Sequence, residues 1–109
     1  MVLPPLTPAE RADALQKAAE ARRVRAEVKA KLKRSGMTLR EVLMKADVDE
    51  TLGKMKVSAV LESMPGVGRV RAARIMDKLE ISPSRRVRGL GAKQRVALER
   101  EFAAGDAGA

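Results

Sequence analysis

The chain has 109 residues, with 23 Lys and Arg against 14 Asp and Glu, a net charge of +9 at neutral pH. It contains no Cys, His, Trp or Tyr and a single Phe, which excludes a disulfide, a thiolate or histidine metal site, a Ser-His-Asp triad and a cysteine nucleophile. The composition points to one small, soluble, basic domain with a polyanionic partner, nucleic acid ahead of membrane, because no apolar run nears the ~18 residues of a membrane span and no signal-peptide pattern follows Met1.

Pro4-Pro5 delays any helix until Thr7, where Thr7-Pro8-Ala9-Glu10 has the form of a capping box with Pro8 at the first helical position. Good helix formers then run unbroken over 8–34 and stop at Ser35-Gly36, which predicts a helix about 40 Å long. Its front half is Ala-rich, with Leu15 the only large apolar side chain; its back half offers Val24, Val28 and Leu32 at i, i+4, i+8. The back is therefore expected on the core, and the front projecting or lying on a partner. Residues 8–34 carry net +5, and Arg22, Arg23, Arg25, Lys29, Lys31, Lys33 and Arg34 are partly balanced by Glu20 and Glu27. A solvated face and a phosphate-tracking face both remain open there.

A second capping box, Thr38-Leu39-Arg40-Glu41, predicts a helix to about residue 46, with Leu39, Val42, Leu43 and Ala46 on one face. Residues 47–53 read as an acidic turn, and 35–53 carry net −2, a poor nucleic-acid surface. A third helix is expected over 54–64 and a fourth over 69–79, with Val57, Val60, Leu61, Met64 and Ala72, Ile75, Met76, Leu79 spaced as one face each. Pro83-Ser84-Arg85-Arg86 suits a short helical turn, and a last helix is expected over 92–102, using Leu90, Ala97, Leu98 and Phe102. Residues 103–109 read as a disordered tail. No alternating β pattern appears, and the expected fold class is all-α without repeats.

Between the third and fourth helices stands Pro65-Gly66-Val67-Gly68, followed by Arg69, Val70, Arg71 and Arg74. Two glycines allow a tight turn and close approach of another backbone, and free N–H groups at the start of the next helix favour an anion. Gly-x-Gly is also a common tight connection between packed helices. Net +7 over 54–102 and the adjacent arginines favour a nucleic-acid phosphate. A dinucleotide site is excluded, since no strand precedes the turn.

The second cluster is Arg85-Arg86-Val87-Arg88 before Gly89-Leu90-Gly91, with no acid within three residues in sequence. Such runs are often merely solvated, but arginine suits bidentate phosphate contacts and narrow minor grooves. Lys54 and Lys56, entering the third helix, flank the same face. With one Phe there is no platform for stacking unpaired bases, so a duplex held through its backbone is expected rather than single strands. No helix rich in Asn, Gln and Arg offers strong base readout.

Leu3-Pro4-Pro5-Leu6-Thr7, the Arg-rich helix, Leu52-Gly53-Lys54-Met55-Lys56-Val57-Ser58, Met64-Pro65-Gly66-Val67-Gly68-Arg69-Val70 and Arg85-Arg86-Val87-Arg88-Gly89-Leu90-Gly91 together resemble the actinobacterial integration host factor family, nearly end to end. The resemblance implies a long N-terminal helix (1–34 with its extension), a helical core with a helix-two-turn-helix DNA-binding unit (35–102) and a tail (103–109). It implies a cytoplasmic, nucleoid-associated protein that binds duplex DNA with little sequence specificity, bends or compacts it, and serves chromosome organisation and phage integration. It puts the phosphate site on Pro65, Gly66, Val67, Gly68, Arg69 and Val70, an arginine cluster on Arg85, Arg86 and Arg88, and a basic entry on Lys54 and Lys56. No cofactor or catalytic residue is implied.

The same unit occurs in a small-subunit ribosomal protein, which makes RNA or ribosome association the alternative function. It also occurs in base-excision glycosylases, but their N-terminal Pro-Glu pair and Cys zinc finger are absent here, which sets an enzyme aside. The long helix lacks sustained heptads, since Arg22 and Arg25 interrupt any seam, so a monomer is expected.

Overall fold

The computed structural model describes the backbone of residues 5–108 and the side chains of residues 5–102; the expectations placed on residues 1–4 and on Ala109 lie outside them. Among the described residues the secondary structure is helical: α1 Pro8–Lys33, α2 Leu39–Ala46, α3 Glu50–Gly53, α4 Val57–Glu62, α5 Arg69–Lys78 and α6 Ala92–Gly108, with a 3-10 turn at Val87–Gly89. One isolated antiparallel bridge joins Lys56 to Arg86.

Both capping boxes form. The Thr7 hydroxyl accepts from the Glu10 N–H at 3.1 Å while the Glu10 carboxylate accepts from the Thr7 N–H at 3.1 Å, and Thr38 and Glu41 repeat the exchange at 3.2 Å in both directions. The 26 residues of α1 extend about 39 Å within a molecule measuring 53 × 31 × 25 Å. Its end is a Schellman motif: Gly36 N–H donates to Lys31 O at 2.7 Å and Ser35 N–H to Leu32 O at 3.1 Å. The left-handed residue there is Ser35, at φ 59°, not Gly36. Glu80, at φ 57°, closes α5 in the same way, through Ile81 N–H to Met76 O at 2.8 Å.

The core takes the expected helix faces: Val28 and Leu32 from α1, Leu39, Val42, Leu43 and Ala46 from α2, and Val57, Val60 and Leu61 from α4. Ala72, Ile75 and Met76 from α5 join Leu98 and Phe102 from α6. Connections add Met37, Met55, Val67, Ile81 and Val87, which no periodicity announces, and Leu90 joins the core as expected. Leu98 is fully buried, worth about 1.5–3 kcal/mol of transfer energy, and anchors α6. Arg95 clamps α6 to α2 through both Asp47 oxygens, at 2.9 and 3.2 Å, and through Leu43 O at 3.2 Å.

Three expectations are corrected. Residues 47–53 are not only a turn: Asp49 Oδ1 accepts from the Thr51 and Leu52 N–H groups at 2.9 and 3.3 Å, caps the single turn α3, and drives Leu52 into the core. Over 83–86 only a turn forms, closed by Arg85 N–H donating to Ser82 O at 2.9 Å, and the short helical turn follows at Val87–Gly89, where Val87 and Leu90 bury. The tail expected to be disordered is helical to Gly108; Ala103, Ala104 and Ala107 are strong helix formers and simply continue α6.

Candidate nucleic-acid interface

Pro65 and Gly66 occupy the two central positions of a turn closed by Val67 N–H donating to Met64 O at 3.1 Å. Gly66 has φ +73°, the left-handed value that a type II turn requires of its third residue. Val67 is buried and pins the turn to the core. Arg71 reaches back, Nη1 to Gly66 O at 3.4 Å.

Gly68 differs from Gly66. It is the N-cap of α5 at φ −93°, ψ −176°, extended backbone that any residue adopts. A Cβ on it would meet no protein atom within 4 Å. No side chain caps α5, whereas Thr7, Thr38 and Asp49 cap α1, α2 and α3. The first-turn N–H groups of α5 thus open outward beside the exposed side chains of Arg69, Val70 and Arg71, an arrangement that suits a phosphate. Arg74 is exposed one turn on. Val70, 66% exposed, adds an apolar contact at the same edge.

The second cluster is built by the bridge. Val57 N–H donates to Arg85 O at 2.9 Å and Val87 N–H to Met55 O at 2.9 Å, so the Lys54-Met55-Lys56 segment and the arginine run lie side by side, with Met55 and Val87 turned inward. Arg86 Nη1 donates to Lys54 O, and Arg85 Nη1 to Gly89 O at 3.1 Å. Arg88 lies against Gly53, where a Cβ would come within 3.1 Å of its Nε. The sequence spacing left these arginines free of acids; in space Glu50 lies near Arg88. It pairs with Lys54 at 3.0 Å, and the Lys54 hydrogen bond, the Lys54 charge and then the Arg88 charge hold its carboxyl below the usual range.

The structure therefore joins Lys54, Lys56, Arg85, Arg86 and Arg88 into one patch, and Pro65, Gly66, Gly68, Arg69, Val70, Arg71 and Arg74 into another, while the side chain expected there at Val67 is buried in the core beneath it. The six residues of α4 separate the two, about 9 Å along the helix. Among the described residues no group of His, Cys, Asp or Glu is arranged to hold a metal, and no helix is long and apolar enough to cross a membrane.

Residues 32–102, from the last turn of α1 to Phe102, match the S13-like H2TH domain family. The chain is 64% identical over 102 residues to the Integration host factor of Streptomyces coelicolor, covering 94% of this chain and 95% of that protein. It is 60% identical over 102 residues to the Integration host factor of Mycobacterium tuberculosis, covering 94% and 97%. The chain belongs to the actinobacterial integration host factor family. A solved structure, "Structure of sIHF bound to an 8bp palindromic DNA", superposes with a TM-score of 0.79 at 62% identity, over 80% of this chain and 98% of that one. In this member of the family, then, the expected fold class, all-α with a long first helix ahead of an H2TH unit, is the observed one.

Proposed function

We propose that this protein is a non-enzymatic architectural protein of the nucleoid that holds duplex DNA by its phosphates, with little sequence preference, bends or compacts it, and so supports chromosome organisation and phage integration. The observation that carries the reading is Gly68. Its backbone angles and its surroundings leave room for a side chain, and although glycine is also a good N-cap, its bare backbone leaves the uncapped start of α5 open to the close approach of an anion. Charge supports a polyanion, the two exposed basic patches support two points of grip, and the DNA in the related structure supports a duplex. Smooth bending costs about 1–6 kcal/mol, which contacts at separated patches on one bent duplex would offset.

A second reading, RNA or ribosome association, is favoured only by the S13-like character of the matched family. One experiment separates them: a competition gel shift of duplex DNA against single-stranded DNA and duplex RNA. The DNA reading expects duplex DNA to compete at least tenfold better than either; preferential competition by duplex RNA would overturn it.

A further inference from the structure

The two basic patches differ in one respect. Of their Lys and Arg side chains, only Lys54 enters an ion pair among the described residues, with Glu50 at 3.0 Å. Around the turn at Gly66–Gly68, Arg69, Arg71 and Arg74 pair with no acid. One patch thus carries a carboxylate of its own and the other does not.

That carboxylate is fixed by its surroundings. Asp49 caps α3 and Leu52 buries beneath it, so Glu50 has a set place one helical turn before Lys54. The cap itself is made by Asp49, which leaves Glu50 free of that task. Its first-turn position suits the helix end, but an exposed i,i+4 pair adds little to stability, and neither reason calls for an acid beside Arg88. The Lys54 hydrogen bond, then the Lys54 and Arg88 charges, keep the group ionised at neutral pH. Lys54 and Glu50 are 63 and 68% exposed, so a phosphate has access to both. Carboxylate and phosphate oxygens accept charge-assisted hydrogen bonds from the same donors.

We propose that Glu50 is a resident competitor for the DNA phosphate, which makes the Lys54–Arg88 patch the releasable one of the two grips; the proposal rests on the duplex-binding reading above. In the free protein the carboxylate occupies the Lys54 ammonium. On a duplex, Lys54 exchanges it for a phosphate oxygen, and the carboxylate left beside the backbone repels the phosphate and favours the return. The patch therefore binds as though it held one cation fewer. Glu50 sets how long this patch stays engaged, while the turn at Gly66–Gly68, with no paired cation, keeps its hold.

The test compares two variants with the same change in net charge, each freeing one lysine. Glu50→Gln frees Lys54; Glu101→Gln frees Lys78, its partner at 3.1 Å, which lies in neither patch. Gln is a good helix former, and circular dichroism and thermal melting confirm that both fold. Binding to a 30-base-pair duplex is titrated across salt, and dissociation is followed by stopped flow. Glu50→Gln is expected to add about 1 to the magnitude of the log K against log salt slope, to bind about fivefold tighter near physiological salt, and to dissociate more slowly. Glu101→Gln is expected to keep the slope of the unaltered protein and to change affinity less than about twofold. Equal gains in the two variants would reduce the effect to net charge and overturn the proposal, as would unchanged or weaker binding by Glu50→Gln. No duplex binding by the unaltered protein would overturn this inference and the proposed function together.

Discussion

Arg86 donates through Nη1 to the carbonyl oxygen of Lys54, 32 residues earlier in the chain. The bond lies beside the two backbone bonds of the Lys56–Arg86 bridge, so a residue expected at the DNA surface also holds that surface together. Arg86→Ala is therefore expected to lower both stability, by about 1 kcal/mol for one lost hydrogen bond, and DNA affinity. Thermal melting without DNA checks the first effect; an unchanged melting temperature would assign Arg86 to the ligand alone.

Arg85 and Arg88 isolate the contribution of arginine chemistry. Replacing both by Lys preserves charge but removes the planar fork suited to phosphate and narrow grooves. The double variant is expected to bind almost normally at low salt yet bend DNA less, measured as duplex end-to-end distance by energy transfer at matched occupancy. Equal bends would leave only charge to explain the cluster.

The two glycines of the turn predict opposite outcomes. Gly66→Ala forces an L side chain to φ +73° and should cost about 1–2 kcal/mol of stability. Gly68→Val meets no protein atom at Cβ and should lose only about 1 kcal/mol to a poorer N-cap, while losing at least tenfold in duplex affinity. If Gly68→Val binds normally, the start of α5 is not where the phosphate sits.

Much of this was legible in the chain because the determinants are local. Thr-x-x-Glu at Thr7 and Thr38 starts two helices, and Pro65-Gly66 carries the type II turn in its own chemistry. Residues such as Met55, Val67 and Val87 enter the core from connections, with no period to reveal them. The bridge between Lys56 and Arg86 depends on segments far apart in sequence, so the shared face of Lys54, Lys56 and the arginine run was legible, but not the backbone pairing that joins them. Nor could spacing show that Glu50 lies near Arg88, or that Gly68 needs no left-handed angle.

With no His in the chain, no side chain titrates between pH 5 and 8 at its ordinary value, and duplex affinity at fixed salt should be flat across pH 6–8. Stability responds lower down. The Arg95 hydrogen bond holds the Asp47 carboxyl below its ordinary value, burial opposing and the Arg95 charge assisting. A lowered folded-state value stabilises above the unfolded value and is lost as pH falls through the folded one. Asp47→Asn should thus flatten part of the decline in stability below about pH 4; an identical acid limb in the variant would show the clamp to be neutral.

Residues 8–20 of α1 are exposed throughout, whereas Val28 and Leu32 are buried. One continuous helix therefore has two kinds of support: capping, alanine propensity and ion pairs at its front, tertiary packing at its back. Amide hydrogen exchange should record this as a gradient along a single element, with amides of residues 12–20 exchanging through local fraying and those beyond 28 only with wider opening of the core.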